Sequence, residues 1–248
     1  MTRRRTLFAL LGVGIVIAFV LVPVGTGAGK TPMCGSRVAV TLGTPGDDVI
    51  VGTAGDDIIA GLGGDDVIYG LAGNDRICGD VNGLREGDDD VIYAGTGNDR
   101  VMGDAADIRR AGDDRIYGGD GNEVFLLGDG DRVRTGGDDW VSGGDGNDDS
   151  VEGDGAEIGT GGNDWVFGDA GNDTGVAGDG LEAIDTGGHD HVLGGDGDDS
   201  LDGDQTIGDS PHGGDDELDG GAGFDALDGD TGFDTCVNGE AVVNCEAP

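Results

Sequence analysis

Apolar and polar positions alternate along this chain with a nine-residue beat. Residues 43–78 read "GTPGDDVIV GTAGDDIIA GLGGDDVIY GLAGNDRIC", a Gly-x-x-Gly-[Asp/Asn]-Asp hexapeptide followed by three residues with isoleucine in the middle. One aliphatic between two outward neighbours predicts a short strand. The glycine-rich hexapeptide ahead of it predicts a turn whose glycines accept positive φ. From Gly43 onward 17 such units open, at 43, 52, 61, 70, 79, 94, 103, 118, 128, 143, 153, 168, 178, 194, 203, 220 and 229. Two turns bring the chain back above its start, so the pattern predicts an all-β, parallel solenoid of about eight coils. Stacking then buries what a single coil leaves exposed.

The inward column runs Ile50, Ile59, Ile68, Ile77, Ile92, Val101, Ile116, Val141, Val151, Val166, Val176, Val192, Leu201, Leu218, Leu227 and Cys236. In the unit opening at 118 either Phe125 or Leu126 takes that place. Two residues ahead stands an acid: Asp48, Asp57, Asp66, Asp75, Asp90, Asp99, Asp114, Asp139, Asp164, Asp190, Asp199, Asp216, Asp225 and Asp234. Asp148 and Asp173 sit one residue further off, and Glu123 stands in for Asp at 118.

Charge sharpens this picture. The 248 residues include 57 Gly and 52 Asp+Glu against 13 Lys+Arg, a formal charge of −39. Nucleic acid and anionic membrane surfaces are poor partners for such a polyanion. A disordered acidic linker would share this composition, but disorder gives no reason for aliphatics at a fixed interval. Coiling places equivalent carboxylates about 4.8 Å apart, where like charges repel by roughly 3–4 kcal/mol per pair at an effective dielectric near 20. A divalent cation between layers relieves this repulsion, and a set of hard oxygen ligands with no nitrogen or sulfur selects multiple Ca²⁺ ions. Folding and calcium binding are then expected to be one event.

"GGDGDDSLD" (194–202) fits Gly-Gly-x-Gly-x-Asp-x-aliphatic-x, and "GLGGDDVIY" (61–69) fits it except for Leu62 at the second place. In this they resemble the nonapeptide of RTX, or haemolysin-type calcium-binding, repeat proteins. The resemblance covers about residues 43–237. It implies a right-handed parallel β-roll with Ca²⁺ held in the turns by Asp side chains and carbonyls of the glycine region. Family members exported by the type I route lack an N-terminal signal, whereas this chain carries a candidate for one. Many members also have a catalytic or pore-forming domain, and none is expected in the length outside these repeats.

From Gly79 onward short units alternate with long ones, which open at 79, 103, 128, 153, 178 and 203. Alternation puts every insertion on one edge. Each starts Gly-Asp, giving a second acid column of Asp80, Asp104, Asp129, Asp154, Asp179 and Asp204. Leu84, Ile108, Val133 and Ile158 follow at one spacing, with Ile184 and Ile207 a residue out of step. This register predicts a third short side from about residue 79; a solvated loop is the alternative. The strands after the insertions carry Tyr69, Tyr93 and Tyr117 in one outward column and Trp140 and Trp165 in the other, extended by Phe167 and His191. Stacking along the sheet explains such rows. A strip that binds neutral polysaccharide or a cell surface, through Tyr93, Tyr117, Trp140, Trp165 and Phe167, is the functional alternative.

"MTRRR" followed by the apolar "TLFALLGVGIVIAFVLVPV" and the small residues "GTGAG" predicts a secretory signal over residues 1–28. A retained membrane anchor is the runner-up. The expected organisation is then a cap strand at 29–42, the roll at 43–237 and a C-terminal cap at 238–248. An oxidising exterior suits the four cysteines, with Cys34–Cys78 and Cys236–Cys245 expected as staples at the two ends. No nucleophile, Gly-x-Ser-x-Gly or phosphate loop accompanies His189, His191 and His212, so no enzyme is expected. The function expected is a secreted calcium-binding repeat protein with a structural or interaction role. A calcium-rigidified adhesin is the alternative.

Overall fold

The computed structural model describes residues 32–81, 84–106, 108–130, 132–155, 158–180, 186–204 and 213–246. The segment expected to be a signal, together with Ile184, Ile207 and His212, lies outside them. Among the described residues every regular element is a strand, and no helix is long and apolar enough to cross a membrane.

Two parallel sheets face each other. One has nine strands, from Val49–Val51 to Thr235–Val237, and the other has ten, from Thr41–Leu42 to Ala241–Val243. Successive strands of each sheet lie two units apart in sequence, as in Ile68↔Ile92↔Ile116 on the first sheet and Ile59↔Ile77↔Val101 on the second. The chain is therefore a β-solenoid of the roll type. Thr41–Leu42 and Ala241–Val243 add one strand beyond the repeats at each end, so the ladder is slightly longer than the repeat count implies.

The aliphatic column forms one continuous core from Ile50 to Leu227, closed by the partly buried Cys236. Burying each such side chain contributes about 1.5–3 kcal/mol. Leu126, not Phe125, takes the inward place in its unit, being fully buried while Phe125 is only partly so. The extra residue after Asp148 and after Asp173 is absorbed as a bulge. Ser150 (φ 72°) and Gly175 (φ 66°) adopt left-handed conformations, and pairing resumes at Val151↔Val176.

The insertions do form a third side. Val133–Thr135 pairs in parallel with Ile158–Thr160, and bridges Glu86↔Arg110 and Thr160↔Thr186 continue the ladder in both directions. Ala105, Ile108, Ala111, Val133 and Ile158 make a second buried cluster, with Leu84 packed against it. Both expected disulfides are present, Cys34–Cys78 with Cα atoms 5.5 Å apart and Cys236–Cys245 at 5.9 Å.

Candidate metal centre

Most repeat carboxylates are held by the coil before them. The backbone N–H of Asp66 donates to Oδ1 of Asp90, Asp90 to Asp114, Asp114 to Asp139, Asp139 to Asp164 and Asp164 to Asp190, all at 2.7–2.9 Å. The edge without insertions repeats this through Asp57→Asp75, Asp75→Asp99, Glu123→Asp148, Asp148→Asp173 and Asp173→Asp199. One oxygen of each of these accepting carboxylates is thereby fixed. The other, Oδ2, is buried with no hydrogen-bond partner at Asp66, Asp75, Asp90, Asp99, Asp114, Asp139, Asp148, Asp164, Asp173, Asp190, Asp199, Asp216, Asp225 and Asp234. At Glu123 both oxygens are orphaned.

The second column is pinned in the opposite sense. Gly112, Gly162, Gly188 and Gly214 donate their N–H to Oδ2 of Asp104, Asp154, Asp179 and Asp204 at 2.7–2.8 Å, and Gly137 donates to Asp129 at 3.3 Å. Here Oδ1 is the orphan, as it is in Asp80. Glycine is required beside these carboxylates, since a Cβ at Gly161 would lie 2.1 Å from Asp179 Oδ1.

On the insertion edge the two columns converge. Asp104, Asp114 and Asp129 present carboxylate oxygens within 4.8 Å of one another, as do Asp129, Asp139 and Asp154, then Asp154, Asp164 and Asp179, then Asp179, Asp190 and Asp204. Calcium–oxygen distances of about 2.3–2.6 Å place two ligands of one ion no more than about 5 Å apart, so these groups fit such a cation. Asp129, Asp154 and Asp179 each belong to two groups, making one shared row. Asp66, Asp80, Asp90, Asp216 and Asp234 lie on the same edge outside these groups. Asp75, Asp99, Asp148, Asp173, Asp199 and Asp225 stand on the other edge in a single column. Asp48 and Asp57, in the first coil, are partly exposed and accept N–H and hydroxyl bonds from Thr44 and Thr53.

Burial makes the charged form of these carboxylates costly. Burial, reinforced by neighbouring carboxylates, drives Asp114, Asp129, Asp139, Asp164, Asp179 and Asp190 well above the ordinary carboxylate range. Burial likewise pushes Asp66 up to about 7, and Asp90 and Asp216 up to about 8. A cation between layers would remove this cost by keeping the carboxylates ionised.

Three acids escaped the sequence reading. Glu240 and Glu246 receive the N–H of Asp225 and Asp234 at 2.8 and 2.7 Å. Asp202, on the outward side of its strand and opposite Asp228, keeps a buried unpaired Oδ1 and is raised to about 8 by burial and by Asp230 and Asp228. Its place in a strand triplet, away from the turn motif, gave no signal.

The aromatic rows are stacked on themselves. Tyr93 lies between Tyr69 and Tyr117 with ring centroids 5.1 and 4.9 Å away, and planes within 7°. Trp165 lies between Trp140 at 5.9 Å and His191 at 4.0 Å, and Phe167 packs against Trp140 at 4.5 Å. His191 also meets Glu217 at 3.1 Å.

No curated protein matches the chain. The model of the RTX calcium-binding nonapeptide repeat matches residues 42–77, 86–107, 110–133, 135–155, 158–180, 183–205 and 212–237, most of the sequence. The coil-by-coil Asp ladder and this match together place the chain in the RTX calcium-binding nonapeptide repeat family.

Proposed function

We propose that the protein is a secreted calcium-binding solenoid whose folding and ion uptake are one process, serving as a structural or interaction module outside the cell. The carrying observation is the row of buried carboxylate oxygens without hydrogen-bond partners on Asp104, Asp114, Asp129, Asp139, Asp154, Asp164, Asp179, Asp190 and Asp204. An orphaned buried charge is costly, and so many in register need a ligand. Oxygen-only donors of variable number favour Ca²⁺ over Mg²⁺, which holds its water and demands octahedral geometry. On the edge without insertions the second oxygens of Asp75, Asp99, Asp148, Asp173, Asp199 and Asp225 supply one carboxylate per layer, and turn carbonyls complete those sites. The proposed role is binding and scaffolding, not catalysis.

The polysaccharide reading is the weaker one. A sugar packs on an open ring face, and both faces of Tyr93 and of Trp165 are occupied by neighbours. Equilibrium dialysis against ⁴⁵Ca²⁺ with excess Mg²⁺ tests the main proposal. Several calcium ions retained per chain support it; displacement by an equal concentration of Mg²⁺ refutes it.

A further inference from the structure

On the outward face of the ten-stranded sheet, near its N-terminal end, the charge reverses. Arg76 and Arg100 are register partners on adjacent strands, and Arg37 approaches from the hairpin of Met33–Cys34 and Arg37–Val38. A groove of about 510 Å³ runs over Arg76 and Arg100, walled by Cys34, Cys78, Met102 and Phe125, with Arg132 at its far side. A second hollow of about 480 Å³ continues past Arg37, Arg76 and Arg100 toward Asn74 and Asn98.

Two features set this place apart. Like charges directly opposite on neighbouring strands are destabilising, yet Arg76 faces Arg100 in a chain with 52 acidic residues available for pairing. Among the described residues neither of them, nor Arg37, forms an ion pair. Four of the nine arginines in the described residues line these two adjoining hollows, and those residues contain no lysine. Guanidinium rather than ammonium is the group that grips carboxylate and sulfate through paired N–H donors. Burial and the charges of Arg100 and Arg37 also hold Arg76 below its ordinary value, a cost that a bound anion would cancel. Asp56, Asp57 and Asp75 also line the second hollow; they belong to the turn edge, where Asp57 and Asp75 are candidate calcium ligands, and in that respect the site rests on the calcium reading.

We infer that the groove and the adjoining hollow bind an oxyanion, the carboxylate or sulfate group of a ligand, through the guanidiniums of Arg37, Arg76 and Arg100. The apolar disulfide, Met102 and Phe125 would pack against the stem that carries the anion. Because the rest of the surface repels anions, binding would fix the ligand at one spot and one orientation.

The test uses the calcium-loaded chain with fluorescent dextran sulfate, uncharged dextran and inorganic sulfate as probes. Dextran sulfate should bind and dextran should not. Sulfate alone should compete if a single free oxyanion fills the site, whereas polymer-only binding identifies a ligand with several anionic groups along a chain. Arg76→Gln with Arg100→Gln should weaken binding about tenfold or more, and Arg76→Lys with Arg100→Lys should recover part of it. The calcium-induced β signal of each variant separates loss of the groove from loss of the fold. Should the double Gln variant fail to fold, Arg37→Gln, on the hairpin, gives the deciding affinity, with a similar loss expected. Failure of the folded wild type to bind either sulfate probe, or equal binding by the wild type and the folded variants, would overturn the inference.

Discussion

The backbone N–H of Asp225 donates to Oε2 of Glu240 at 2.8 Å. One coil earlier the matching N–H, that of Asp199, is received by Asp225 itself at 2.9 Å. On the insertion edge Asp234 donates to Glu246 at 2.7 Å, where Asp216 donates to Asp234. Two glutamates thus continue the two ladders, each accepting where the next repeat's Asp would accept.

These caps predict local fraying. Glu240→Ala with Glu246→Ala should cost about 1 kcal/mol per lost bond, confined to the last coil. Amide exchange at Thr235–Val237 should quicken while Val91–Thr96 keeps its protection. Uniform loss of protection along the solenoid would show that the glutamates do not act as local caps.

Shared carboxylates predict unequal mutants. Asp129 belongs to two of the four groups and Asp104 to one. Asp129→Asn should therefore remove two calcium ions per chain where Asp104→Asn removes one. Asp148→Asn, in the single column of the other edge, should leave the shared row filled. Ion counting by mass spectrometry under native conditions checks this, and equal losses for Asp129 and Asp104 would contradict the shared row.

Acid should substitute for calcium in part. Asp66 is raised to about 7, and Asp90 and Asp216 to about 8, from an ordinary value of 3.8. A carboxyl raised on folding is protonated in both states below about pH 4 and then costs nothing. As pH climbs from about 4 toward 8 the unfolded chain ionises more readily, so the metal-free fold loses stability across that window. In chelator the β signal should grow on acidification from pH 8 to pH 4.5. With excess calcium the trend reverses, since protons displace the ion. A metal-free chain with the same β content at both pH values would refute the linkage.

Much of this architecture was written in the local pattern. A nine-residue period places Ile59, Ile77 and Val101 on one inward line without any knowledge of distant contacts, and the register of Val133 with Ile158 disclosed the third side. Which acids meet was not legible. Asp129 joins Asp139 and Asp154 only because the insertion folds back through Val133–Thr135, a path set by packing against Ile108 and Ile158. The strand Ala241–Val243 and the two capping glutamates follow the last Gly-x-x-Gly-x-Asp unit, where the period no longer speaks. The stacked rows of Tyr93 and Trp165 were legible too, because outward positions in register on neighbouring parallel strands bring their rings together.

Close coil-to-coil approach predicts a sensitive glycine. Gly97 has φ +136°, and a Cβ there would stand 1.9 Å from the carbonyl oxygen of Gly73. Gly97→Ala forces both strain and separation of two coils, at a cost of roughly 2–3 kcal/mol. The urea midpoint of the calcium-loaded variant should fall accordingly. By contrast Gly55→Ala, where a Cβ meets nothing within 4 Å, should be nearly neutral. Similar midpoints for the two variants would show that the coils tolerate separation at this turn.

Small-angle scattering of the chain without residues 1–28, in chelator at pH 7.5 and then with calcium added, tests most directly whether cations hold the stacked carboxylates together. Predicted is an expanded chain with a radius of gyration of roughly 50 Å that contracts cooperatively to about 20 Å as calcium binds. A chain already contracted and β-structured in chelator at that pH would contradict it.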